Sequence, residues 1–314
     1  MQAVIKKLPA ILPKMSEKYL TVNNDYPDFE TYLKNLDNLS KYDFSESDYD
    51  EIYNKFHDYA LKIPALGASL DTGINGIKLF RARLAKTISE LEDKTIIQTF
   101  SFPPSNVCKN NGRANIKNKS VFYCTDDAIP ALKECNIEIN DEVYLSIWNY
   151  NSKRNLSYVC CIPEKLPENN SWEEYGKYHY NFLIQKQNEE NIKLLDYKIA
   201  LRNFITEKFM NEEFPYHITS MLANEYLYES GFDMIMYPSA KTFQDYTNFA
   251  IHPNVALNHL ELEIIFNIII LDINEQHVKF KVKSIGHIEN DKINWKKSDD
   301  NVTEKYLRAK KYSR

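Results

Sequence analysis

Three short, widely separated stretches of the chain end on polar residues where a buried apolar residue would be simpler to explain. In Leu79-Phe80-Arg81-Ala82-Arg83, two arginines stand two residues apart and so share one face of a strand. Guanidinium groups side by side repel unless something anionic lies between them, and arginine is the side chain suited to bidentate phosphate contacts. Asn111-Gly112-Arg113 places an arginine in a polar loop ahead of a strand that ends at Tyr123, and Glu134 follows eleven residues later, at the end of the next helical stretch. Tyr237-Pro238-Ser239 closes an apolar run, where proline stops the ladder and leaves Ser239 at the strand's mouth, with Asn248 following. Together these residues describe one composite pocket for an anionic ligand. Singly they are ordinary: a solvated strand face, a half-buried tyrosine, a helix-surface glutamate.

Several other chemistries are excluded by pattern. Ser239 has no GxSxG elbow and no histidine motif beside it, so it reads as a hydrogen-bonding contact and not a nucleophile. His217, His252, His259 and His287 show no HExxH and no i,i+4 pairing, so no metal is expected. Cys108, Cys124, Cys135, Cys160 and Cys161 form no CxxC pair, and their odd number reads as reduced thiols. There is no GxGxxG and no P-loop. A net charge of −5 provides no electrostatic reason to expect directly bound nucleic acid. The most apolar run, Ile264 to Leu271, is interrupted by Asn267 and too short to span a bilayer, and no secretory signal is evident at the N-terminus. The expectation is a soluble, cytoplasmic chain without membrane contact.

The elements that must position these residues read as follows. Residues 1–74 carry 12 acidic and 8 basic residues and form a helical N-terminal extension. Its clearest helix runs from Ser47, as N-cap, to Lys62, with a second helical candidate over Asp28 to Leu36. Pro64 through Gly76 is a connector. Strand-type runs then follow at Ile77–Leu84, Thr95–Phe102, Ser120–Cys124, Val143–Trp148 and Ser157–Ile162, with a helix entered at Thr125-Asp126-Asp127 and ending at Glu134. Further helices are predicted within Glu164–Glu190 and over Ile192–Met210 and Ile218–Glu229, the last stopped by Gly231. A buried strand follows at Phe232–Tyr237, then a terminal hairpin of Leu262–Ile273 and Val278–Ile285. Residues 290–314 read as a basic tail, frayed or dependent on a partner. The fold class is α+β with mostly antiparallel strands.

Leu79-Phe80-Arg81, Gly112-Arg113-x-Asn115, Val121-Phe122-Tyr123 with Ala131-Leu132-Lys133-Glu134 behind it, and Tyr237-Pro238-Ser239, in that order, resemble the RES domain family. The resemblance covers roughly residues 75–285, and the NAD-binding catalytic domain it implies spans 75–289. It implies an ADP-ribosyltransferase-like core of two packed β-sheets with a cleft for NAD+ as substrate, in a family of NAD+-degrading toxins paired with a small Xre-like antitoxin. By the same resemblance Arg81 and Arg113 would hold phosphate or ribose. Tyr123 would pack on the nicotinamide side, Glu134 would serve the reacting ribose, and Ser239 would line the pocket. Arg83 and Asn248 join this binding set by position. Ala82 departs from members with a tyrosine after the first arginine, the stretch from Glu164 to Glu229 is longer than a compact member needs, and residues 1–74 have no counterpart in minimal toxins.

The residue types fit such a reaction independently. Cleavage of the nicotinamide–ribose bond passes through an oxocarbenium-like state that a carboxylate stabilises, and nicotinamide leaves as a neutral molecule. Three outcomes stay open on the sequence: hydrolysis or phosphorolysis of NAD+, transfer of ADP-ribose to a protein, or a catalytically weak sensor of an NAD-type ligand.

Overall fold

The computed structural model of the chain describes residues 26–61, 63, 67–70, 76–185, 189–275 and 277–307. Helix α1 (Phe29–Lys41) is capped by Asp28, which accepts the Thr31 N–H at 2.9 Å, and it buries Tyr32, Leu36 and Leu39 along one face. Helix α2 (Tyr49–Tyr59) starts one residue later than its sequence suggests. Asp48 is the cap and exchanges bonds with Glu51 in a capping box, while the Ser47 N–H is engaged in a turn with the Phe44 carbonyl. The described part of the expected connector includes a short strand, β1 (Gly67–Leu70); residues 64–66 and 71–75 lie outside the described residues.

The remaining strands are β2 (Lys78–Leu84), β3 (Phe122–Thr125), β4 (Glu142–Tyr150), β5 (Leu156–Cys160), β6 (Met234–Pro238), β7 (Thr247–Ile251), β8 (Leu260–Ile273), β9 (Val278–Glu289) and β10 (Lys292–Lys297). They join in the order β1-β5-β6-β7-β3-β2-β4-β8-β9-β10, and the pairs are antiparallel apart from β5–β6. The parallel pair is spanned by a long crossover containing α4 (Glu173–Gln185), α5 (Glu189–Asn211) and α6 (His217–Asn224), after which the chain makes one π-type turn, Glu225–Glu229. The protein is thus mixed α+β with a mostly antiparallel sheet. Its hydrogen-bonded order is continuous, but the link between the two halves is slight: β2 and β3 share the single pair Phe80↔Thr125.

Cover on the sheet is divided at the same seam. Behind the first half, α1, α2, α5 and α6 pack with Ile235, Tyr237 and Ala250 in one cluster. Behind the second half, α3 (Ala128–Glu134) contributes Ala131 and Leu132 to a cluster with Ala82, Leu145 and Phe266, and Tyr306 of α8 (Asp300–Leu307) leans on it. The opposite face of both halves shares a third cluster, from Leu79 and Trp148 across to Phe122, Met236 and Phe249. Strands of each half therefore alternate between two buried faces, which is why they read as near-continuous apolar runs.

Two expectations need correction. Thr95–Phe102 is not a strand; it contains a 3₁₀ turn over Ile97–Phe100, with the Thr99 hydroxyl donating to the Asp93 carbonyl at 2.6 Å. Its outward carbonyls serve the arginines of β2 instead of a neighbouring strand. The tail is also more ordered than expected. β10 pairs along its whole length with β9, turning the terminal hairpin into a three-stranded meander, and α8 follows; residues 308–314 lie outside the described residues.

Candidate functional site

Tyr237, Asn248, Thr125 and Phe80 form one cross-strand row through β6, β7, β3 and β2. Directly paired residues project from the same face, as do Tyr123, Ala250 and Ala82 two positions along. That face carries α3, whose last residue is Glu134. Helix α3 begins at Ala128 because Asp127 caps it, accepting the Ile129 N–H at 3.0 Å. One and a half turns then bring Glu134 over β7 and the end of β6.

Here the structure joins three of the residues singled out from sequence. The Ser239 hydroxyl donates to Glu134 Oε1 at 2.7 Å, and Asn248 Nδ2 donates to the same oxygen at 2.8 Å. Ser239 is fully buried and Asn248 is 6% exposed, whereas Glu134 itself lies at the surface. Among the described residues, Glu134 Oε2 receives no hydrogen bond and no lysine, arginine or histidine pairs with the carboxylate. Asn248 Oδ1 is buried with no donor. A carboxylate held in place by neutral donors, with one oxygen free and an orphaned acceptor beside it, keeps its charge available to a ligand.

The other candidates divide. Tyr123 shares the face, but its hydroxyl is committed to the Gly112–Asn115 turn: it accepts the Ala114 N–H at 2.7 Å and donates to Asn115 Oδ1 at 2.9 Å. Burial pushes that phenol well above the ordinary tyrosine range. A Cβ on Gly112 would stand 2.5 Å from Asn115 Oδ1 and 3.0 Å from the Tyr123 hydroxyl, so only glycine allows this turn to close on the tyrosine. Arg113 turns away from the Glu134 cluster. Its Nη1 donates to the Phe209 carbonyl at 2.8 Å at the end of α5, and the guanidinium lies 5.0 Å from the centre of the Tyr216 ring.

Arg83 has its anion within the chain. Glu92 takes both its terminal nitrogens at 2.8 and 2.9 Å, and the carbonyls of Thr99 and Thr87 complete the set. Arg81 has none among the described residues. Its Nε donates to the Ser101 carbonyl at 2.9 Å and its Nη1 to the Tyr123 carbonyl at 3.4 Å, with the Phe122 ring 5.7 Å away. It leaves β2 on the face opposite Phe80 and Ala82, so it lies at the seam but makes no bond to the Glu134 cluster. Burial disfavours its charged form, and Cys135 and Cys124 are the thiols within its electrostatic reach. Both thiols are themselves pushed up by burial, Cys135 to about 11, so neither is a ready nucleophile.

In sequence, Asp126 reads as part of the Thr125-Asp126-Asp127 helix entry. Only one of two adjacent aspartates can cap the helix, and Asp127 does so. Asp126 instead accepts the Thr247 N–H at 3.1 Å and the Ser171 hydroxyl at 3.3 Å, one residue from Asn248. Burial pushes its carboxyl up to about 7, partly offset by the Thr247 N–H. The spare aspartate was the one signal in the sequence that could have found it.

Two concave regions lie away from these residues. One, of about 430 Å³, is bounded by α1 and α5; the other, of about 390 Å³, lies among α2, α5 and α6 beside His57 and Glu225. Their linings carry carboxylates (Asp37, Asp196 and Glu207 in one, Asp58 and Glu225 in the other) and no lysine or arginine. Among the described residues no group of His, Cys, Asp and Glu is arranged to hold a metal ion, and no helix is long and apolar enough to cross a membrane. In comparison with known proteins, no family model and no curated sequence matches the chain.

Proposed function

We propose that this chain is an NAD+-consuming enzyme of RES type, with an ADP-ribosyltransferase-like core, that breaks the nicotinamide–ribose bond and acts as the toxic half of a toxin–antitoxin pair. The observation that carries this reading is the convergence of Ser239 and Asn248 on one carboxylate oxygen of Glu134, more than a hundred residues earlier in the sequence. The seam between β2 and β3, where the strands share one pair and Arg81 bonds across to the Tyr123 carbonyl, lies in the same cross-strand row as Asn248. In this reading Glu134 Oε2 accepts a ribose hydroxyl and faces the positive charge that develops on the ribose as nicotinamide departs. Ser239 and Asn248 fix the carboxylate so that it need not reorganise, and a ribose hydroxyl is the donor that Asn248 Oδ1 lacks. Arg81, the β2 arginine without an internal anion, is the one suited to a diphosphate, and Tyr123 acts chiefly through its ring and through the turn it anchors.

The exposed position of Glu134 also admits a macromolecular acceptor, which makes ADP-ribosylation of a protein the second reading. The test is nicotinamide release from NAD+ by the purified chain, followed by NMR with and without phosphate, alongside Glu134→Ala. Glu134-dependent release is expected, and its phosphate dependence separates phosphorolysis from hydrolysis. Release only with cell protein present, with a matching mass shift on that protein, selects the second reading. Equal turnover by Glu134→Ala sinks both.

A further inference from the structure

The loop from Ser239 to Asp245 connects the buried serine to β7 and packs against α3. It is held from several sides. The Gln244 N–H donates to the Ser239 carbonyl at 3.0 Å, and the Asp245 N–H donates to that of Thr242 at 3.0 Å. The Thr242 side chain is buried and bonds back to the Ser239 carbonyl, and Asn170 Nδ2 donates to the Gln244 carbonyl at 2.8 Å. At its tip Phe243 is 68% exposed, in the left-handed region at φ +50°, and Gln244 follows at φ +67°.

Nothing in the fold's own interest explains this residue. A bulky side chain in the left-handed region is disfavoured, whereas glycine would adopt the same backbone freely. An exposed ring recovers little of that by burial. Strain at a fixed loop beside a candidate site is where ligand clamps are found, and a flat, rigid ring on such a loop suits a flat partner.

Resting on the function proposed above, we infer that Phe243 is a ligand-contacting residue: its ring stacks on a heteroaromatic ring of the nucleotide whose ribose Glu134 receives. Truncation of a base-stacking aromatic weakens binding by roughly 5- to 100-fold. Phe243→Ala and Phe243→Gly are therefore expected to raise KM for NAD+ by about that factor, with kcat within about twofold, and Phe243→Tyr to restore it. Because the backbone strain is relieved, Phe243→Gly is expected to melt higher than the parent while binding more weakly; a purely structural ring would lower both.

The direct readout is a Phe243→Trp variant titrated with NAD+, with nicotinamide mononucleotide and with ADP-ribose, following indole fluorescence. Quenching by NAD+ and the mononucleotide alone assigns the nicotinamide ring as the partner; quenching by NAD+ and ADP-ribose alone assigns the adenine. Unchanged KM and no quenching in protein that still consumes NAD+ overturn the contact and leave the proposed function standing. A parent protein that binds none of the three ligands overturns both.

Discussion

The two ends of the β6–β7 pair each carry a hydrogen-bond network built around a carboxylate, and the networks differ in the charge of the donors. At one end Asp233 accepts both terminal nitrogens of Arg154 at 2.7 Å, as well as the Ser157 N–H at 2.7 Å. Those partners hold its carboxyl below the ordinary range although burial pushes the other way. At the other end, among the described residues, Glu134 receives neutral donors, Ser239 and Asn248, and neighbouring Asp126 accepts the Thr247 N–H and the Ser171 hydroxyl. A carboxylate with an arginine fork is neutralised and serves the fold. One held by hydroxyl and amide groups meets no cation among the described residues and stays open to a cationic or hydroxyl-bearing ligand. The two arginines of β2 repeat the contrast: Arg83 is matched by Glu92, whereas Arg81, two residues earlier, is not.

If this contrast separates function from stability, substitutions at the two ends should move different observables. The largest effect is expected at Glu134. Glu134→Gln keeps both hydrogen bonds by presenting its carbonyl oxygen to them but removes the charge, so NAD+ turnover should fall by about 100- to 1000-fold, with the melting temperature nearly unchanged. Comparable turnover by the amide would break the comparison at once.

Asp126 should show itself in the pH dependence of stability. Its folded pKa of about 7 lies above the usual carboxylate value, so the folded state keeps a proton that the unfolded chain gives up from about pH 4 upward. Stability is therefore lost as pH rises through that window, by on the order of a few kcal/mol, and levels off above about 7. Asp126→Asn should flatten this slope in denaturation midpoints measured between pH 5 and 8. An unchanged slope would assign it elsewhere.

Asp233→Ala, at the other end, strands the Ser157 N–H and half-exposed Arg154, and should cost about 2 kcal/mol in urea unfolding. Turnover per folded molecule should stay at the parent level; a selective loss of turnover would mean that this end too serves the ligand. The smallest effect expected is that of Ser239→Ala. Loss of one of the two donors to Glu134 should lower turnover about tenfold, and Ser239→Thr should sharpen the result by showing whether the hydroxyl alone suffices.

Much of the fold was legible in the sequence because the signals were local. Asp28, the helical spacing of Tyr49, Ile52, Tyr53 and Phe56 in α2, the alternation in β9 and the apolar runs of β4, β6 and β8 each name their element through capping or periodicity. Thr95–Phe102 misled for a non-local reason: its β-type composition is overridden by arginines that claim its carbonyls from β2. The tail misled likewise, since β10 owes its order to pairing with β9 and to Trp295 meeting Phe100 and Tyr144.

Residue types and order determined, from sequence alone, that Glu134, Ser239 and Asn248 were candidates, since a strand mouth and a helix end are local properties. Only the tertiary structure decided which polar groups meet. It joined those three, gave Arg83 to Glu92 and Arg113 to the end of α5, and committed the Tyr123 hydroxyl to its own turn. It also brought Asp126 beside the site and left Phe243 exposed on the loop that follows Ser239. The physical reason is that partners as distant as Glu134 and Asn248, or Arg113 and Phe209, are chosen by sheet order and register, and neither is written in any one segment of the chain.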